Sequence, residues 1–108
     1  MNTLEKSFID ICNIEYIDNQ TMVYILECNG MFKVGISKNI KTRLKQVQCG
    51  NPYKVILKKA YSMAYHQLAF NAEKRIHDRL KKDNLHIRLE WFKKFDISIA
   101  DDIIKNTF

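Results

Sequence analysis

Tyr24, Lys33, Arg43 and Glu73 come from four different segments of a 108-residue chain, and together they could act on a phosphate. The pair Asn29-Gly30, set between two apolar runs, signals a two-residue type I′ turn and so fixes a hairpin register. Cys28 then faces Met31, Leu26 faces Lys33, Tyr24 faces Gly35 and Met22 faces Ser37. Glycine opposite Tyr24 leaves space over the ring and hydroxyl, as where a ligand or backbone comes close. Lys33 lies diagonal to Tyr24 on the same face. An ammonium there favours the phenolate and predicts a lowered pKa for the tyrosine.

Arg43 sits three residues after Ile40 and four before Val47, which turns it inward beside an apolar stripe. A guanidinium so placed needs an anion, either a protein carboxylate or a bound phosphate gripped in bidentate fashion. Glu73 is the candidate carboxylate. His66, Phe70, Glu73 and His77 follow at spacings of four, three and four, one continuous helical stripe. A carboxylate between two imidazoles suits a hard divalent ion such as magnesium. A zinc site is disfavoured because the HExxH spacing is missing. Plainer roles exist for each residue: a strand tyrosine, a solvated edge lysine, an arginine paired with an acid, and Glu73-His77 as an i,i+4 pair. Trp91 reads as core, with Glu90 capping or orienting a neighbour.

The elements that must hold these residues follow from hydrophobic periodicity. A short helix is expected over 3–13 and a connection over 14–20, then strands over 22–27 and 31–37. A helix over 39–48 is capped by Ser37 or Asn39, with Ile40, Leu44 and Val47 as its apolar stripe and Lys38, Lys41 and Lys45 on a solvated side. Gly50-Asn51-Pro52 stops it. A third strand is expected over 53–61 and a long helix over 64–82, ended by Asp83-Asn84. Residues 85–92 form an edge strand or extended loop, and a last helix starts at Ser98, with Asp101 favouring its N-terminus.

Val23, Ile25, Phe32, Val34 and Ile36 share one hairpin face and call for a core, whereas Tyr24, Lys33, Gly35 and Ser37 share the other, a working face. The fold class is α/β, of the α+β kind: a small, mainly antiparallel three-stranded sheet flanked by helices. Residues 1–20 form an N-terminal helical extension ahead of a single domain over 21–108.

A formal net charge of +6, from 18 Lys and Arg against 12 Asp and Glu, favours a polyanion as partner. The apolar fraction of 46% indicates a folded chain rather than a disordered tail. Three cysteines without metal-ligand spacing are expected to be free thiols in a reducing, intracellular setting. No apolar run approaches the roughly 20 residues that span a bilayer, so a soluble protein without membrane partners is expected.

The ordered set resembles the GIY-YIG nuclease superfamily. Met22-Val23-Tyr24 stands where G-I-Y stands, Lys33-Val34-Gly35 where Y-I-G stands, Arg43 fits the arginine of the first helix and Glu73 the glutamate of the later one. VYIL, KVGIS, QxGNP, AExxIH and EWF resemble a compact branch found in phages and large DNA viruses. The resemblance covers about Met22 to Phe92. It implies one divalent ion, Mg2+ or Mn2+, held by Glu73, with Tyr24 orienting or deprotonating the attacking water and Arg43 holding the phosphate. Lys33 stands in place of the second tyrosine, and Val47 where restriction-type relatives carry a histidine, so His77, or else His66, would supply an imidazole from the long helix. Asn84 is a candidate for the late asparagine of several relatives. The implied function is metal-dependent hydrolysis of DNA phosphodiester bonds; the residues do not separate DNA from RNA as the partner. Lys38, Lys41 and Lys45 would meet the nucleic-acid backbone, and a homodimer would let so small a nuclease cut both strands. The alternative is a non-catalytic nucleic-acid-binding module on the same fold.

Overall fold

The turn at Asn29-Gly30 organises the sheet. A computed structural model describes residues 21–107. In it both turn residues take left-handed φ values, +52° and +77°, as a type I′ turn requires. Strands β1 (Met22–Cys28) and β2 (Met31–Ser37) pair antiparallel with Tyr24 opposite Gly35 and Leu26 opposite Lys33, the register expected from the turn. Helix α1 (Ile40–Gln48) follows, then β3 (Val55–Ser62), α2 (His66–Lys82), β4 (His86–Arg88), β5 (Trp91–Lys93) and α3 (Ile97–Lys105).

The sheet has five strands in the order β3-β1-β2-β5-β4, all neighbours antiparallel, where three strands were expected. Residues 85–92 do not form one extended piece. They turn back at Leu89-Glu90, and β5 pairs with β2 through Met31, Phe32 and Lys33. Two arms of three residues each are too short to show a period in the sequence. The expected helix over 3–13 lies outside the described residues.

Local chemistry explains the helix ends. The Asn39 side chain accepts a hydrogen bond from the Thr42 amide at 3.0 Å and caps α1. At the end of α2, Asn84 takes φ +61°. Its amide donates to Lys81 O at 3.0 Å and the Leu85 amide to Leu80 O at 2.9 Å, a Schellman closure. Helix α3 begins one residue earlier than expected, because Asp96 rather than Ser98 caps it, accepting from the Ser98 amide at 3.0 Å.

Helices α2 and α3 cover one face of the sheet. Val23, Ile25, Phe32 and Val34 pack there with Ala69, Ala72, Ile76, Leu80, Phe92, Ala100 and Ile104. Full burial of Ile76 or Leu80 contributes about 1.5–3 kcal/mol each. The opposite face differs from expectation. It is not an open working surface: Met22, Tyr24, Leu26 and Cys28 are buried beneath Ile40 of α1 with Val55, Leu57 and Ala60 of β3. Alternation therefore produced two cores, since the side of β1 away from α2 is also largely apolar. No helix among the described residues is long and apolar enough to cross a membrane.

Candidate active site

The site lies where β2 outruns β5. The ladder between them ends at Lys33 opposite Trp91. Beyond it the Val34 amide donates to Glu90 O at 3.1 Å, and the Val34 carbonyl meets His77 Nε2 at 2.8 Å. The β4–β5 turn and α2 thus reach the same stretch of β2 from different directions. Leu89 in that turn holds φ +55°, and its carbonyl is clasped by His86 Nε2 at 2.8 Å. A left-handed leucine costs on the order of 1 kcal/mol, and here the turn that bears the cost presents Glu90.

Gly35 is the floor of the site. A Cβ built on it would lie 2.5 Å from Tyr24 Oη, 2.7 Å from Tyr24 Cζ and 3.1 Å from Glu90 Oε1. The space expected over Tyr24 exists, and its own hydroxyl fills it. Tyr24 is only 1% exposed, and its hydroxyl makes no hydrogen bond of standard geometry among the described residues, although the Arg43 guanidinium reaches it. Burial, then the negative charge of Glu90, push its pKa up to about 12, with Glu73 adding to the rise. Arg43 pulls the other way and does not win. The expected lowering by Lys33 is therefore overturned. The Lys33 ammonium is instead bound to Glu90 Oε1 at 2.9 Å and lies 5.6 Å over the Trp91 ring.

Glu73 shows the same tension from the other layer. Its Oε2 is buried and has no hydrogen-bond partner among the described residues. Burial, then Glu90, raise its pKa to about 7, while Lys33 acts in the opposite direction. Two carboxylates, a phenol and an ammonium thus sense one another at one edge of β2. Arg43 joins them at Tyr24 but is exposed, contrary to the inward position expected, and no carboxylate among the described residues lies within ion-pair distance of it.

His77 is half-buried on α2. Its Nε2 faces a carbonyl and must donate, and burial pushes its pKa below the ordinary histidine range, so the ring is neutral near pH 7. Its ring lies 5.0 Å from that of Phe92, tilted by 54°. His66 is apart from this group: it is exposed at the start of α2, with Nδ1 3.4 Å from Thr21 Oγ1. The expected stripe of His66, Phe70, Glu73 and His77 is therefore half surface and half site. Asn84 serves the end of α2 through its backbone. Lys38, Lys41 and Lys45 are exposed on α1 and the turn before it.

A hard divalent ion fits this donor set. An orphaned carboxylate oxygen at Glu73, with a second carboxylate close enough to raise its pKa, is short of positive charge. Magnesium is held by one or two carboxylates completed by water and phosphate oxygens. Among the described residues no group of three or more His, Cys, Asp or Glu converges as a zinc site would need. Glu90 is the residue whose centrality the sequence did not disclose. The available signal was an acid next to the single tryptophan, and only the pairing of β5 with β2 turns it towards Lys33.

No curated protein and no solved structure matches the chain. The T5orf172 domain matches residues 21–107, which include every residue of the site. That domain is phage-associated and related to GIY-YIG-like and HNH-type nuclease domains. Covering most of the chain, the match establishes the identity that the geometry alone does not: this protein belongs to the T5orf172 domain family.

Proposed function

We propose that the protein is a divalent-metal-dependent endonuclease of GIY-YIG type that hydrolyses DNA phosphodiester bonds. The observation that carries this reading is a pair of buried oxygens without a standard hydrogen bond among the described residues, Tyr24 Oη against Gly35 and Glu73 Oε2 on α2. The Glu73 charge raises the cost of ionising the phenol, and Arg43 lies beside it. A buried polar group left unsatisfied costs about 1–3 kcal/mol, and a bound cation with its water would satisfy both.

Glu73 would hold the cation, which when bound supplies Lewis-acid polarisation of the phosphoryl oxygen. Tyr24 orients the attacking water through its hydroxyl, which stays protonated in the cation-free protein at a pKa of about 12. Arg43, exposed and without a carboxylate at ion-pair distance among the described residues, offers its planar fork to the phosphate where negative charge builds up. Lys33 sits within reach of the same group. His77 donates to the Val34 carbonyl and keeps β2 in place next to Gly35, a positioning role. Lys38, Lys41 and Lys45 on the exposed side of α1 would meet flanking phosphates.

Supercoiled plasmid with Mn2+ tests the assignment. Wild type should nick or linearise it, and Glu73→Ala and Arg43→Ala should each lose at least a hundredfold in rate. Equal cutting by all three proteins would remove the proposal. One observation favours the non-catalytic alternative: the Lys33–Glu90 pair occupies the site with the protein's own charges. That reading expects salt-sensitive DNA binding with no cleavage under any divalent ion.

A further inference from the structure

Glu90 is drawn into the site by three separate relationships. Its Oε1 and the Tyr24 hydroxyl lie 3.1 Å and 2.5 Å from one point, the place a Cβ on Gly35 would take. Its backbone carbonyl is tied to Val34, and its side chain is tied to Lys33 at 2.9 Å. Lys33 itself is held between Glu90 and the face of Trp91, with its side chain only 15% exposed. A bound divalent ion is a larger local charge than an ammonium, and the carboxylate it would take from Lys33 keeps its lone pairs for it.

We propose that Glu90 is a second carboxylate ligand of the divalent-cation site beside Glu73, and that Lys33 occupies the cation's place until it binds. This rests on the metal-dependent reading above and adds a residue and an exchange to it. The almost wholly buried Tyr24 hydroxyl, without a standard hydrogen bond among the described residues and directed at the same spot, is the independent mark of a ligand position there. When a divalent ion satisfies both carboxylates, Lys33 is released from Glu90 and its ammonium becomes available to a phosphate oxygen. Cation and nucleic acid should then favour each other's binding, since coupling of this kind is reciprocal.

Isothermal titration of Mn2+ into the full chain without DNA tests this directly. Glu90→Gln should weaken Mn2+ at least tenfold, Glu73→Gln should do the same, and Lys33→Met should tighten it severalfold by removing the competitor. A misfolded variant could not bind more tightly, so the Lys33→Met result is independent of any loss of structure. Trp91 is the single tryptophan, so its emission should shift on adding Mg2+ to wild type and stay unchanged in Lys33→Met. Mn2+ binding by Glu90→Gln within twofold of wild type, with Glu73→Gln impaired, overturns the role of Glu90 and leaves the metal reading standing. Unchanged binding by both variants overturns the metal reading as well.

Discussion

Gly35 and Tyr24 face each other across β1 and β2 so closely that the phenol occupies the volume where any side chain at position 35 would begin. Gly35→Ala must therefore push on a buried ring that has core on its other side. Overpacking of this kind costs about 1–3 kcal/mol. Denaturant unfolding should show that loss, and Tyr24→Phe in the same chain should recover only part of it, because Cζ is also within 2.7 Å. Full additivity of the two substitutions would show that the contact is not the cause.

The unpartnered hydroxyl predicts a split between stability and activity. Tyr24→Phe removes a buried oxygen that has no hydrogen bond of standard geometry among the described residues, so thermal unfolding should hold steady or rise, by up to about 1 kcal/mol. Plasmid cleavage by the same variant should fall at least tenfold. A destabilised Phe variant would mean that the hydroxyl has a partner in solution.

Glu73 gives the pH dependence its sign. Its pKa in the folded, cation-free protein is about 7, above the ordinary carboxylate value of 4.5. Between those values the folded state holds a proton that the unfolded state has lost, so stability falls as pH rises from about 4.5 to 7 and levels off above. Water reaches part of the carboxylate and screens it, which leaves a contribution on the order of 1 kcal/mol. Unfolding in EDTA at several pH values should show that slope in wild type and a shallower one in Glu73→Gln. Parallel pH profiles for the two proteins would count against the raised pKa.

The basic side of α1 predicts a salt effect. Lys38→Ala and Lys45→Ala should each weaken DNA binding uniformly across sequences and reduce the log–log salt slope by about 0.9 for each lost phosphate contact. Fluorescence anisotropy at several salt concentrations measures it. Slopes identical to wild type would put the nucleic acid elsewhere on the surface.

Much of this geometry was legible because a single turn decides it. Asn29-Gly30 set the β1–β2 register, and that register alone placed Tyr24 over Gly35 and Lys33 on their side. The caps at Asn39 and Asn84 were equally local, and so was the length of α2. What escaped were relationships across long separations. Glu90 meets Lys33 57 positions away, through a pairing whose strands are too short to announce themselves. The direction of the Tyr24 pKa shift has the same origin: the sequence shows the ammonium but neither the burial of the ring between α1 and β3, which is the larger cause, nor the carboxylate of Glu90. Arg43 was read as inward because it adjoins an apolar stripe, yet a long side chain beside a stripe can stay in solvent while its head reaches a buried hydroxyl.

The assembly of the site from both halves of the chain has a consequence for synthesis. As the ribosome releases this protein, β1, β2 and α1 emerge first, carrying phenol, ammonium and guanidinium, while both carboxylates arrive later, on α2 and the final hairpin. A product that stops before α2 thus lacks both acids. On the proposed reading, hydrolytic competence would come only once β5 docks on β2.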